Sequence, residues 1–96
     1  MIVVNVKYAI KEGMRDAFLE AIKQERVAEQ VRSEAGNRQY VFLLPVEESD
    51  VNTMYLIEKY ADEAALENHK RESHFEAFQD IKAQFVNDTI VQVFKE

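Results

Sequence analysis

Glu58-Lys59-Tyr60-Ala61-Asp62-Glu63-Ala64-Ala65-Leu66-Glu67-Asn68-His69-Lys70-Arg71-Glu72-Ser73-His74-Phe75-Glu76-Ala77-Phe78 is the stretch on which the reading of this chain turns. It holds a strand end, two helix starts and the break between them. Asp62 is a good N-cap for a short helix with Ala65, Leu66 and His69 on one face. His69 is therefore expected to point inward at the helix end. The helix breaks at about Arg71-Glu72. Ser73-His74-Phe75-Glu76 reads as a capping box, with Ser73 as N-cap and Glu76 as its partner. That puts His74 in the first turn of the next helix, where His74, Phe78, Ile81 and Phe85 follow one face. Both histidines of the chain then meet at one corner, and imidazole readily acts as proton carrier or ligand near neutral pH.

Upstream of this corner, Ile2, Val4, Val6, Tyr8 and Ile10 alternate with Val3, Asn5, Lys7 and Ala9, the period of a strand with its even face in the core. Lys11-Glu12-Gly13 is a turn. Met14, Ala17, Phe18, Ala21, Ile22, Ala28 and Val31 give one apolar stripe, which predicts a single long helix from Met14 to Ala35. Gly36 suits a left-handed C-cap. Asn37 to Leu44 is the second strand, ended by Pro45, and Thr53 to Tyr60 is the third. In that strand Met54, Leu56, Glu58 and Tyr60 share a face. Glu58 either lies near a sheet edge or beside a basic partner, or is buried with its carboxyl pKa raised as a catalytic acid requires. Thr89 to Phe94 is the fourth strand.

The chain has 96 residues, 47% of them apolar, which fits one domain over residues 1–96. Its formal charge is −6, and its basic residues form no run, so neither a nucleic-acid footprint nor an anionic-membrane surface is expected. The absence of cysteine excludes disulfides and thiolate metal sites. No signal peptide or apolar run of membrane-spanning length is present, and a cytoplasmic protein is the default reading. Glycine-rich cofactor fingerprints are absent. Two histidines and Glu58 satisfy the residue types of a 2-His-1-carboxylate site, but nothing in their spacing fixes such a geometry, and no metal or other cofactor is expected.

The order β-α-β-β-(αα)-β is the ferredoxin-like, α+β plan: a four-stranded antiparallel sheet with helices on one face. The other face, with Val3, Ala9, Val41, Tyr55, Ile57 and Val91 or their alternates, is too apolar to stay in water. A second copy of the chain, packed sheet on sheet, is its expected cover.

In this setting the chain resembles the antibiotic biosynthesis monooxygenase domain of the dimeric α/β-barrel group. The resemblance spans essentially the whole chain. It rests on Gly13, Glu34-Ala35-Gly36-Asn37, Glu58-Lys59-Tyr60 and Leu66-x-x-His69-x-x-x-x-His74-Phe75-x-x-Phe78. Two branches are similar in pattern: the small quinol monooxygenases and the isomerase that processes phosphorylated autoinducer-2. A third, haem-binding branch is not matched. Val6, His69 and Gln79 stand where its asparagine, tryptophan and haem-ligating histidine would be.

The resemblance implies a homodimer with a pocket for a small molecule between sheet and helices. Three functions follow as expectations. The first is a cofactor-independent monooxygenase of a phenolic or quinol substrate, with His69 or His74 as base beside Glu58. Asn37, Tyr40, Tyr60 and Phe78 would contact the substrate. The second is an isomerase of a small phosphorylated sugar, working with His74 and Glu58 or with the two histidines, with Lys70, Arg71 or Arg38 on the phosphate. The third is a non-catalytic ligand-binding dimer.

Overall fold

Strict alternation makes Ile2–Ile10 strand β1, and its position is central: it pairs antiparallel with β3 (Thr53–Tyr60) on one side and β4 (Val86–Lys95) on the other. Strand β2 (Asn37–Leu43) adds to the far edge of β3, giving the order β2-β3-β1-β4. The computed structural model describes residues 1–96. Helices α1 (Arg15–Gln24) and α2 (Val27–Arg32) connect β1 to β2, and α3 (Glu63–Lys70) and α4 (Ser73–Phe85) connect β3 to β4. This is the expected ferredoxin-like α+β fold. No helix is long and apolar enough to cross a membrane.

The even face of β1 meets the helices as expected. Ile2, Val4, Val6, Tyr8 and Ile10 are buried with Tyr40, Met54, Leu56 and Tyr60 of the neighbouring strands. Phe18, Ile22, Val27, Val31, Phe78 and Ile81 close the core from above. Phe18 stacks on Phe78 at 6.2 Å, and Tyr8 meets Phe18 edge-on at 5.7 Å.

Four local expectations are corrected. The single helix from Met14 to Ala35 is two, broken where Arg26 takes a left-handed conformation, φ 54°. The reason is rotational. At about 100° per residue, an unbroken helix would turn Val27 to the side opposite Phe18. The break brings Phe18 and Ile22 of α1 and Val27 and Val31 of α2 into the same core.

The capping box does not form. Glu72, extended at φ −70° and ψ 143°, is the N-cap of α4, and no side chain caps that helix. Ser73 is already helical, and His74 still falls in the first turn. Asp62 does cap α3, its Oδ1 accepting from the Ala65 amide at 2.8 Å.

Gly36 is not left-handed; among the glycines that conformation belongs to Gly13, φ 73°. What Gly36 supplies is close approach, because a Cβ there would collide with the Cβ of Ala65 on α3. Finally, β4 begins at Val86, directly after α4, rather than at Thr89, and β2 ends one residue short of Leu44. Asn87 and Asp88, poor strand formers, masked the start of β4.

Candidate active site

The site forms where four elements end or begin. Glu34 lies in the turn after α2, its amide donating to the Val31 carbonyl and its carbonyl accepting from Asn37. Glu58 and Tyr60 are two residues apart on the core face of β3. His69 is in the last turn of α3 and His74 in the first turn of α4. The tight turn between these helices, with the Glu72 amide bonded to the His69 carbonyl at 3.2 Å, sets both imidazoles over the end of the sheet.

Glu34 joins them. Its Oε2 lies 2.9 Å from His69 Nδ1 and 2.6 Å from His74 Nε2. A carboxylate only accepts, so both contacts need N–H on the imidazole side. For His69 that fixes the proton on Nδ1 and leaves the Nε2 lone pair free. Nε2 is turned toward Glu58, 3.7 Å from its Oε1. Tyr60 donates its hydroxyl to the same Oε1 at 2.5 Å. The result is a continuous chain of polar groups, Tyr60–Glu58–His69–Glu34–His74, running from the sheet out to the helix corner.

Apolar walls isolate this chain. His69 is only 4% exposed, with the rings of Tyr60 at 5.1 Å and Phe75 at 5.2 Å. Glu58 is buried too, and desolvation lifts its carboxyl above the usual range despite the Tyr60 hydrogen bond and the nearby His69 and Lys82. Desolvation, reinforced by the Glu58 charge, likewise pushes the phenols of Tyr8, Tyr40 and Tyr60 far up, so they stay protonated donors. Of the readings open for Glu58, the fold adopts the buried one, with the carboxyl pKa raised.

A small cavity of about 30 Å³ is bounded by Glu58, His69, His74, Tyr40, Phe78 and Lys82, among others. That volume suits one water-sized guest. His74, Phe78 and Val27 also line an outer groove of about 450 Å³ between the α1–α2 break and α4. These three residues are shared by the small cavity and the larger groove.

Six of the residues singled out in the sequence therefore gather here: His69, His74, Glu58, Tyr40, Tyr60 and Phe78. Asn37 does not join them; its amide donates to the carbonyls of Gln39 and Lys59 at the β2–β3 bulge. The three cations considered for phosphate also stand apart. Lys70 pairs with Glu67, Arg38 binds the Ala35 carbonyl, and Arg71 lines a separate groove on the far side of Glu34.

Two side chains at this site were given no role in the sequence reading, although Glu34 belongs to the motif before β2. Glu34 sits 35 residues from His69 and 40 from His74, and no periodicity links them. Lys82 was not singled out in the sequence. Its signal was position: it follows His74 and Phe78 by eight and four residues, which keeps it near their face of α4.

Glu34, His69 and His74 bring possible ligand atoms within 4.8 Å of one another, a set of the type that holds divalent cations. The carboxylate of that set is Glu34, not Glu58. Its contacts of 2.6 and 2.9 Å are hydrogen-bond lengths, whereas ligands at ~2.0–2.1 Å around a tetrahedral ion stand roughly 3.3 Å apart. The geometry is that of a carboxylate clamping two imidazoles.

Known proteins share this fold and sequence pattern. YcnE of Bacillus subtilis (strain 168), named "Putative monooxygenase", is 35% identical over 78 residues, covering 81% of this chain and 78% of its own length. Among solved structures, PA3566 from Pseudomonas aeruginosa superposes with a TM-score of 0.84 at 22% identity, covering 99% of this chain and 92% of its own. Rv0793 from Mycobacterium tuberculosis gives 0.81 at 22% identity, with 99% and 93% covered. At these identities the two structures speak for the fold alone. Residues 1–81 match the family model of the antibiotic biosynthesis monooxygenases, and the chain belongs to that family.

Proposed function

We propose that this protein is a cofactor-independent monooxygenase of a small phenol or quinol, with His69 as the base. The observation that carries the reading is the Glu34–His69 pair. Glu34 on Nδ1 holds the ring and its tautomer, and Nε2, 3.7 Å from Glu58 at the cavity wall, is left as a proton acceptor, the arrangement general-base histidines use. The family membership and the name of the B. subtilis relative support oxygenation.

The chemistry then needs no redox group on the protein. His69 removes a hydroxyl proton, and the quinol anion gives an electron to dioxygen. The radical pair joins at a ring carbon, and the resulting hydroperoxide loses water. Quinol plus dioxygen becomes hydroxyquinone plus water, one oxygen atom going to each product and every electron coming from the substrate. Burial serves this route by keeping solvent protons from the anion. Tyr40, on the cavity wall and kept protonated by burial, is a donor for a substrate oxygen, while Tyr60 spends its hydroxyl on Glu58. His74, on the outer side of Glu34, returns the abstracted proton to solvent.

The isomerase reading has less support. None of Lys70, Arg71 and Arg38 reaches the cavity, so a phosphate there would lack the cations expected for it.

An oxygen electrode with a panel of benzo- and naphthoquinols tests the proposal. We expect one dioxygen consumed per quinol, and a drop of at least about a hundredfold for His69→Gln. Glutamine is chosen over alanine because its amide can still donate to Glu34. Unchanged uptake in that variant would make His69 a packing group. No uptake with any quinol would favour the non-catalytic dimer.

A further inference from the structure

Lys82 is the one lysine or arginine on the cavity wall, and it makes no hydrogen bond or close ion pair with the protein, Glu58 acting on it only across the cavity. Its ammonium lies 4.9 Å from the ring centre of Phe78 and 5.8 Å from that of Tyr8. No carboxylate comes within 4.0 Å, and its Nζ donates no hydrogen bond, although Lys59 and Lys70 on the surface both find glutamates. The carboxyl that shares its cavity, Glu58, is engaged by Tyr60 instead. A half-buried ammonium loses much of its hydration and needs an acceptor. Aromatic faces attract it but take no hydrogen bond from it along a fixed direction. Burial accordingly holds the Lys82 pKa below its ordinary value of 10.5.

We propose that Lys82 is the oxyanion-binding residue of this site, and that its ligand is the single ionised oxygen of a phenol or quinol. The inference rests on the monooxygenase reading and deepens it, because it states which form of the substrate the site selects. A base alone moves the proton from substrate to His69. A cation beside the newly charged oxygen stabilises the anion that must then react with dioxygen. The Phe78 and Tyr8 rings, set edge to face beside the ammonium, hold the lysine stem, so the charge is preorganised rather than recruited. At about 30 Å³ the cavity has room for the oxygen of a phenolic ligand and not its ring, which would extend into the groove past His74 and Phe78, and one cation there suits a monoanionic oxygen. A phosphate, bulkier and doubly charged, would call for several donors.

4-Nitrophenol is a suitable probe, because its phenol and phenolate differ in absorption and its binding requires no turnover. Wild-type protein should bind it as the phenolate and shift its apparent ionisation to lower pH. Lys82→Met should weaken phenolate binding by about tenfold or more, the usual worth of a charge-assisted hydrogen bond. Lys82→Arg should retain most of it. The neutral analogue 4-nitrotoluene should bind wild type and Lys82→Met alike, which separates loss of charge from loss of the pocket.

Each other outcome counts against the proposal. Equal phenolate binding by wild type and Lys82→Met overturns the role of Lys82 and leaves the phenolic reading standing. A bound probe whose spectrum is that of the neutral phenol does the same, and that measurement needs only wild type should the variant fail to fold. Absence of nitrophenol binding by wild type removes both. Displacement of the probe by inorganic phosphate in wild type but not in Lys82→Met would make the ligand a phosphate and overturn the phenolate assignment.

Discussion

Glu34 shows how one carboxylate can set the chemistry of two histidines. Without it His69 has no group to fix its tautomer and His74 no hydrogen bond to the site. Glu34→Gln keeps size and replaces one acceptor oxygen with a donor. It should lower quinol-dependent oxygen uptake at least about tenfold, within the range by which general bases act. A purely structural role would leave the imidazole signals alone. Nitrogen-edited NMR should instead show the His69 Nδ1 proton losing its hydrogen-bonded shift.

Glu58 yields a prediction in pH. Its burial favours the protonated form, so the folded chain holds this proton to higher pH than the unfolded chain. The stabilisation is complete below the ordinary carboxyl value of 4.5 and is lost as pH rises through the raised value. Glu58→Gln cannot ionise. Its urea midpoint should gain on that of wild type as pH climbs above the ordinary carboxyl value of 4.5. A difference independent of pH would mean that Glu58 titrates as it does in the unfolded chain.

Among the elements, α3 depends on a contact that secondary-structure patterns do not describe. Its N-terminus is fixed by Asp62, and Ala65 in its first turn lies against the backbone of Gly36. Gly36→Ala must push α3 away from β2, because the obstructing atom is itself a short, rigid Cβ on a helix. We expect a loss of about 1–3 kcal/mol, the usual cost of overpacking, read from chemical denaturation. The same displacement would carry His69 off Glu34, so activity should fall in folded Gly36→Ala as well. A variant with wild-type stability would show that α3 gives way freely.

For the whole molecule, the face of the sheet away from the helices is the open question. Val3, Val41, Tyr55 and Ile57 lie on it with Ile90 and Phe94 of β4, and a groove of about 490 Å³ crosses it between Tyr55, Ile90 and Leu43. Val91, expected on this face, pairs with Val6 and so points to the helix side. It stays 53% exposed because no helix reaches over β4. Strand β4 is thus exposed on both faces, its first residue apart. We propose that a second copy covers this surface, sheet on sheet. Sedimentation at micromolar concentration should report two chains, and Ile90→Glu, which sets a charge on this apolar face, should report one. A folded wild-type monomer would refute this assembly.

Much of this was legible in the chain itself. Period-two alternation in Ile2–Ile10 and Thr53–Tyr60, the Asp62 cap and the broken pattern after His69 define strands and helices through neighbours a few residues away. That local code was enough for the fold, the family resemblance and the inward turn of both histidines. It failed at the α1–α2 break, where a left-handed Arg26 is imposed by the need to bury Val27 and Val31 beside Phe18. It failed again at Ser73, where the turn from α3 starts the helix at Glu72. The partners of the site lay furthest out of reach. A carboxylate that grips imidazoles 35 and 40 residues away, and a lysine left without an anion, are set by where the crossovers return to the sheet. Sequence spacing carries a helix face or a strand face. Which faces meet, and which charge is left over between them, is decided only when the core closes.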